Sequence, residues 1–164
     1  MVGGLGGAAR SNAAGESGAG GGAAREPMVP LLPYPAEPLD PEALRRLRQR
    51  LAQVAARVAP RAHAAGDDIA GKLSTGQRLE RSYVVGKGCY TAVGLAEAGG
   101  IVDLGLELVN KATPDQVHAD TGKADTAVVG EPPACLRVNA DGELRLMIAA
   151  VSGVGLAAAQ LYGR

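Results

Sequence analysis

The sequence predicts an all-β antiparallel sandwich of seven to eight strands, preceded by one amphipathic helix and a disordered Gly/Ala/Pro-rich N-terminus. Three observations lead to this prediction. Apolar and polar residues alternate through much of residues 78–163, as they do in half-buried strands. Turn sequences interrupt this alternation about every 8–12 residues, a spacing typical of sandwiches. A helical pattern precedes the strands, and none lies between them.

Composition divides the chain into four segments. Residues 1–40 are rich in Gly and Ala and then in Pro, and we expect a flexible tether followed by a Pro-rich spacer or partner ligand. Residues 41–60 carry the helical pattern, and residues 61–77 are predicted to be a connector. Residues 78–163 are predicted to form the sandwich domain.

The helix has clear start and stop signals. Asp40 suits the N-cap, Pro41 suits the first helical position, and Pro60 ends the pattern. An apolar stripe recurs at steps of three and four residues and consists of Leu44, Leu47, Leu51, Val54 and Val58. We expect this stripe to contact the sandwich or a partner, including another copy of the chain.

The other faces of the predicted helix are basic. They carry Arg45, Arg46, Arg48, Arg50 and Arg57. Such a face is either simply solvated or able to bind phosphates or anionic lipid, and we interpret it as a solvated face on a helix that docks through its leucines.

The strands are placed by their alternation. Leu79, Tyr83 and Val85 are predicted to share one face of the first strand, and Val102 joins the buried face of the third. The turn sequence at residues 139–142 is of the kind that closes hairpins. The predicted strands cover about residues 79–85, 89–96, 102–108, 115–119, 125–129, 135–138, 144–148 and 154–162.

Four segments of this half follow one another in a familiar order. They are Gly88-Cys89-Tyr90-Thr91-Ala92-Val93, Val102-Asp103-Leu104-Gly105-Leu106, Cys135-Leu136-Arg137-Val138 and Ser152-Gly153-Val154-Gly155-Leu156. Over about residues 76–163 they resemble the β-sandwich modules of the bacterial pre-peptidase C-terminal type, especially those of myxobacterial secreted proteins and lipoproteins. The resemblance implies an extracytoplasmic location and a non-catalytic accessory role.

Cys89 and Cys135 can form a disulfide, remain two buried thiols, or include a nucleophile. They lack the Cys-x-x-Cys spacing of zinc or thioredoxin-like sites. We predict the disulfide, because both cysteines lie on strand-like segments and the resemblance implies an extracytoplasmic protein. In the chain-entropy model such a bridge contributes about 4 kcal/mol.

Other candidate sites are weaker. His118 is a candidate base for a cysteine or serine nucleophile, but no catalytic motif accompanies it, and we interpret it as a loop histidine. Calcium is the alternative to our expectation of no cofactor and no metal, and its candidate ligands are Asp103, Glu107, Asp115, Asp120 and Asp125. They follow no calcium-loop spacing, and Gly105 stands where the related modules often carry a second acid.

The overall charge excludes one class of partner. Lys and Arg together number 17, as do Asp and Glu, so no nucleic-acid partner is expected. No apolar run approaches the ~20 residues that span a bilayer, and the residues after Met1 form no export signal. Either the protein is cytosolic, or the sequence is a mature or trimmed form without its export signal. We expect the second case, an extracytoplasmic location that is periplasmic, outer-membrane-tethered or secreted, with a signal or lipid anchor upstream of Met1.

These observations favour a non-catalytic extracytoplasmic binding or structural module that contacts another protein or a cell-surface component. The first alternative is a helix-led oligomerisation or assembly subunit, for which the sandwich is a platform and a homo-oligomer is expected. The second alternative is a hydrolase with an unrecognised site that includes His118.

Overall fold

A computed structural model describes residues 38–120, 122–131 and 134–164, and the predictions for residues 1–37 lie outside this part of the chain. The described residues form one helix and nine strands. The elements are α1 (Pro41–Val58), β1 (His63–Ala64), β2 (Ile69–Ser74), β3 (Arg78–Val85), β4 (Gly88–Ala96), β5 (Ile101–Asn110), β6 (Val117–Ala119), β7 (Thr126–Val129), β8 (Leu136–Val138) and β9 (Gly142–Gly163).

The longest strand, β9, has 22 residues and organises two sheets. Residues 142–153 of β9 pair with β3 on one side and β5 on the other, and β6 extends this sheet, which we name sheet A. Residues 154–163 pair with β1 and β2 on one side and β4 on the other, and β7 and β8 extend this second sheet, sheet B. All the pairs are antiparallel, so the prediction of an all-β antiparallel fold is confirmed.

The two sheets are the two halves of one folded ribbon, and the fold line passes through Gly153. Gly153 has a φ of +100°, and a Cβ at this position would lie 2.4 Å from the carbonyl oxygen of Gly100. On the other side of β9, the hydroxyl of Thr75 accepts a hydrogen bond from the Gly153 N–H and donates one to its carbonyl oxygen. Glycine is required here because both the backbone angle and the available space exclude a side chain.

Two sequence predictions are corrected by this topology. The supposed connector at residues 61–77 contains β1 and β2, because the small residues of β9 allow Ile69 and Leu73 to pack between the sheets. The separate strands predicted at 144–148 and 154–162 are one continuous strand. Gly153 bends the strand without ending it, since Thr75 satisfies its backbone groups.

A third correction concerns Val102, which was predicted to be buried with the leucines of its strand. A register shift between Ile101 and Leu104 interrupts the β5–β9 ladder. Ile101 is therefore buried and Val102 is 63% exposed, since a bulge reverses the alternation locally. The prediction of a shared buried face for Leu79, Tyr83 and Val85 is confirmed.

In the middle of the core, large side chains of sheet A face small ones of sheet B, and Ile69, Leu73 and Leu161 add larger side chains from sheet B. Sheet A contributes Leu104, Leu106, Leu108, Leu144, Leu146 and Ile148. Sheet B presents Ala92, Gly94, Ala96, Ala157 and Ala159 from its two central strands. A Cβ on Gly94 would lie 3.2 Å from Cδ1 of Leu106, so this complementarity of size lets the sheets approach closely.

Helix α1 forms a third layer on the outer face of sheet B. Leu47, Leu51 and Ala55 are buried in a cluster with apolar residues of β4 and β9, and Leu44, Val54 and Val58 pack against the same cluster. On one flank, the Arg48 guanidinium forms two hydrogen bonds with the Asp68 carboxylate. Of the two expectations for the stripe, it packs against the sandwich, and the partner-facing alternative is corrected because the chain's own sheet covers the stripe. No helix in the described ranges has the length and apolar content needed to cross a membrane.

Candidate binding site at the disulfide edge

The site lies at one end of sheet B, where β4 begins between β8 and the end of β9. Cys89 is in register with Arg137 of β8. On its other side, Cys89 exchanges two backbone hydrogen bonds with Arg164, of 3.0 and 3.1 Å. Residues directly opposite one another in antiparallel strands project to the same face. Arg164, Cys89 and Arg137 therefore form a row in which two arginines flank one cysteine.

Cys89 forms a disulfide with Cys135, and their Cα atoms are 5.5 Å apart. The predicted disulfide is therefore present, and the described residues contain no free cysteine. The bridge ties the segment before β8 to the first residues of β4. Arg164 adds a contact to the bridge, since its Nε donates to Sγ of Cys89 at 3.4 Å.

An open groove of about 410 Å³ runs along this edge. The described residues that line it are Lys87, Gly88, Cys89, Cys135, Arg137, Val138, Asn139 and Arg164. The three cationic side chains are exposed, and none of these lining residues is acidic. The groove therefore has a positive potential and presents guanidinium groups, which bind carboxylates with two parallel hydrogen bonds.

Tyr90 supports the groove from the opposite face of β4. Its hydroxyl donates to the carbonyl oxygen of Gly86 at 2.8 Å, which fixes the turn that carries Lys87. Its ring packs closely over Gly163, where a Cβ would lie only 2.7 Å from the ring atom Cε1. The positions of Lys87 and Arg164 thus depend on one buried tyrosine.

Tyr162 lies one step along the same strand, on the outer face of sheet B, and packs against the α1 cluster. Its partial burial raises the pKa of the phenol, and the negative charge of Asp68 raises it further. Tyr162 therefore remains a neutral hydrogen-bonding group beyond the pH at which an ordinary tyrosine ionises.

The carboxylates predicted as calcium candidates do not converge. Asp120 uses both carboxylate oxygens to accept backbone N–H groups, from Gly122 and Val128. Asp125 accepts from the Thr126 hydroxyl. The other three candidates are Asp103 and Glu107 on β5 and Asp115 in the β5–β6 loop. In the described residues, no three His, Cys, Asp or Glu side chains are close enough together to hold a metal ion.

His118 lies on β6, opposite Leu108 of β5 in sheet A. Cys89 is in sheet B, Cys135 directly precedes β8, and their sulfur atoms are bonded to each other, so neither can act as the nucleophile that His118 would activate. The hydrolase alternative with a cysteine nucleophile therefore loses its nucleophile.

The residues that line the groove, apart from the cysteines, were not singled out from the sequence. Arg137 is one arginine among many, and Arg164 follows the last predicted strand. Their relation to Cys89 depends on the pairing of β4 with β8 and β9, which local alternation does not reveal. The two cysteines were the available signal, since a bridge must bring its flanking residues together.

No protein-family model matches the chain, and no curated protein matches it. Among solved structures, the chain is similar to the pre-peptidase C-terminal domain of a collagenase from Bacillus anthracis. The two are 13% identical, the match covers 58% of this chain and 87% of that domain, and the TM-score is 0.44. That domain is of the type which the sequence motifs resemble.

Proposed function

We propose that this chain is a non-catalytic, extracytoplasmic binding module that attaches through the disulfide edge to an acidic segment of another protein or cell-surface component. The observation that carries the proposal is the groove lined by Lys87, Arg137 and Arg164 with no acidic residue among its described lining. Such a groove selects ligands by charge and by hydrogen bonding to carboxylates.

The chemistry of the lining favours binding over catalysis. The cationic side chains and the Asn139 amide supply many N–H donors, and neither a lysine nor an arginine here has a base beside it in the lining. The two sulfur atoms are already joined, so they supply no nucleophile.

The disulfide supports the extracytoplasmic part of the proposal. Disulfides persist in oxidising compartments and are rare in the cytosol. Here the bridge holds one wall of the groove, since Cys135 and β8 belong to the same short segment. Binding and compartment are therefore linked, because a reducing environment would remove one of the bonds that hold that wall beside the pairing of β8 with β4.

The helix-led assembly alternative has less support. The apolar stripe of α1 already packs against sheet B, so an oligomer would need a different surface. The sandwich and α1 share one buried cluster, which makes the helix a layer of the module.

A labelled oligoglutamate peptide tests the groove, with an oligoglutamine peptide of equal length as the neutral control. Replacing Arg137 and Arg164 with glutamine should weaken oligoglutamate binding about tenfold, because two charged hydrogen-bond donors are lost. Reduction of the disulfide should weaken it as well. Fluorescence anisotropy at fixed ionic strength measures both effects.

The matched control is the Lys111→Gln/Lys123→Gln variant, which removes the same charge from positions outside the groove. Equal weakening in both variants would show that only the net charge of the chain matters, and equal binding of the two peptides would show that the groove does not select by charge. Either result would contradict the proposal. Non-reducing peptide mapping of protein from the producing cell tests the compartment, and recovery of both cysteines as free thiols would contradict it.

A further inference from the structure

The zero net charge of the chain conceals a local excess of positive charge. Helix α1, outside sheet B, carries five arginines and one acidic residue, Glu42. The outer face of sheet A is mixed, since Asp103 and Glu107 of β5 are accompanied there by Arg78 of β3 and Arg145 of β9. The positive charge is therefore concentrated on the helix.

Three of the arginines form a line along one flank of α1. Arg46, Arg50 and Arg57 stand at positions i, i+4 and i+11, with Gln53 between them at i+7. This spacing keeps residues on one side of a helix, and it spans about 16 Å along the axis. All three side chains are exposed, and we name them the arginine stripe.

Three acidic residues lie near one end of the arginine stripe. Asp40 and Glu97 line a groove together with Arg46. Oε1 of Glu42 lies 3.4 Å from Nη1 of Arg46, and both side chains are exposed. Glu97 also lines a shallow groove together with Arg46 and Arg50. Because these carboxylates lie near Arg46, they reduce the positive potential there more than near Arg57. Exposed ion pairs of this kind are weak, and an arginine can therefore exchange its carboxylate for a ligand.

The arginine stripe is held in a fixed orientation. The apolar side of α1 is buried on sheet B, and Arg48 on the opposite flank is joined to Asp68 at the start of β2. These contacts set the rotation of the helix about its own axis. The arginines therefore project outward without any cost of forming or rotating the helix on binding.

We propose that the arginine stripe is a docking surface for a membrane that contains anionic phospholipids. This inference goes beyond the proposed function because it uses a different surface and a different ligand. Phosphate headgroups attract each nearby arginine by an amount that corresponds to about a fivefold gain in affinity. Several arginines on one fixed helix therefore give measurable binding without a closed pocket.

The composition of the helix surface favours lipid over the surface of a folded protein as the occupant. Interfaces between folded proteins are anchored by large apolar or aromatic side chains at their centre. The large apolar side chains that are exposed in the described residues are Val84, Val102, Val117, Val151 and Val154, and none is on α1. The leucines of α1 are committed to sheet B, so binding is peripheral, without insertion, and weakened by salt.

Vesicle co-sedimentation tests the proposal with the full chain. The protein should bind vesicles of phosphatidylcholine mixed with phosphatidylglycerol, and should not bind vesicles of phosphatidylcholine alone. Arg50→Gln/Arg57→Gln should weaken binding by about fivefold for each arginine replaced, and added salt should release the protein. The Lys111→Gln/Lys123→Gln variant, with the same net charge, should bind like the unmodified chain.

A crossed comparison separates this inference from the proposed function. The stripe variant should retain oligoglutamate binding, and the Arg137→Gln/Arg164→Gln variant should retain vesicle binding. Failure of peptide binding with intact vesicle binding would overturn only the proposed function. Absence of vesicle binding at low salt, equal loss in the stripe and lysine variants, or equally tight binding of a DNA duplex would overturn the lipid proposal.

Discussion

The outer faces of the two sheets differ, although one strand contributes to both. The second half of β9 is buried on both faces, so Leu156, Ala157, Ala158, Ala159, Gln160 and Leu161 form a continuous buried run beneath α1. In the first half of β9, Glu143 and Arg145 alternate with the buried residues Leu144 and Leu146. A continuous buried run, apolar except for Gln160, thus marks a covered sheet, and alternation marks one that faces water.

The outer face of sheet A carries charged side chains in place of a helix. Among the described residues, α1 is the one helix, and it packs on sheet B. Arg145 stands opposite Val109 in the sheet A ladder, and the Nε atoms of Arg78 and Arg145 are buried without a hydrogen-bond partner in the described residues. The outer face of sheet B is therefore apolar and covered, whereas that of sheet A is mixed and partly charged.

The bend that divides the sheets is the most sensitive position in this comparison. Gly153→Ala should destabilise the fold by about 4 kcal/mol or more, because it combines backbone strain with a contact of 2.4 Å to Gly100. Gly99→Ala is the matched control, since Gly99 has a φ of +84° but open space around its Cβ position, and should cost about 1 kcal/mol. Urea unfolding measures both. Equal losses would mean that the bend tolerates a side chain.

The difference between the outer faces of the two sheets predicts a smaller change in the free energy of unfolding. Leu51→Ala removes a buried anchor of α1 and should cost about 2–4 kcal/mol. Val151→Ala, on the outer side of sheet A and 53% exposed, should change stability by less than about 0.5 kcal/mol. Unfolding monitored by circular dichroism compares them. A negligible loss for Leu51→Ala would mean that α1 is not a structural layer.

The smallest expected effect is the alkaline titration of Tyr162. Because its pKa is raised in the folded state, folding favours the protonated phenol, and this contribution is fully present below the ordinary pKa of 10.0. Stability is then lost as the pH rises from that value through the folded pKa. Ultraviolet titration should show a late ionisation that Tyr162→Phe removes, and a titration unchanged by this substitution would contradict the prediction.

The sequence predicts the parts of this structure that depend on neighbours along the chain. The helix of residues 41–58 follows from Asp40, Pro41 and its apolar steps, and the disulfide was expected from its two cysteines and the family resemblance. β2 was missed because its Ala, Gly and Lys residues give little alternation. Its buried state depends on pairing with distant alanines of β9.

The candidate groove shows the same limit. Cys89 and Cys135 indicated the location, but the arginines beside them become neighbours through strand register, which is a non-local property. For Asp120 the sequence suggested a site that the structure does not form. Its carboxylate was a candidate calcium ligand, but both oxygens accept backbone hydrogen bonds, from Gly122 and Val128.

The position of β9 in the chain determines when the sandwich can form. It follows every strand with which it pairs, so β1 to β5 have been synthesised before the residues that join them exist. Contacts between such distant segments must overcome loop-closure entropy before they stabilise anything, which makes folding slow compared with that of helical proteins. The nascent chain therefore lacks its central strand until the residues of β9, which begins at Gly142, have been made. Folding of the sandwich follows the synthesis of this strand.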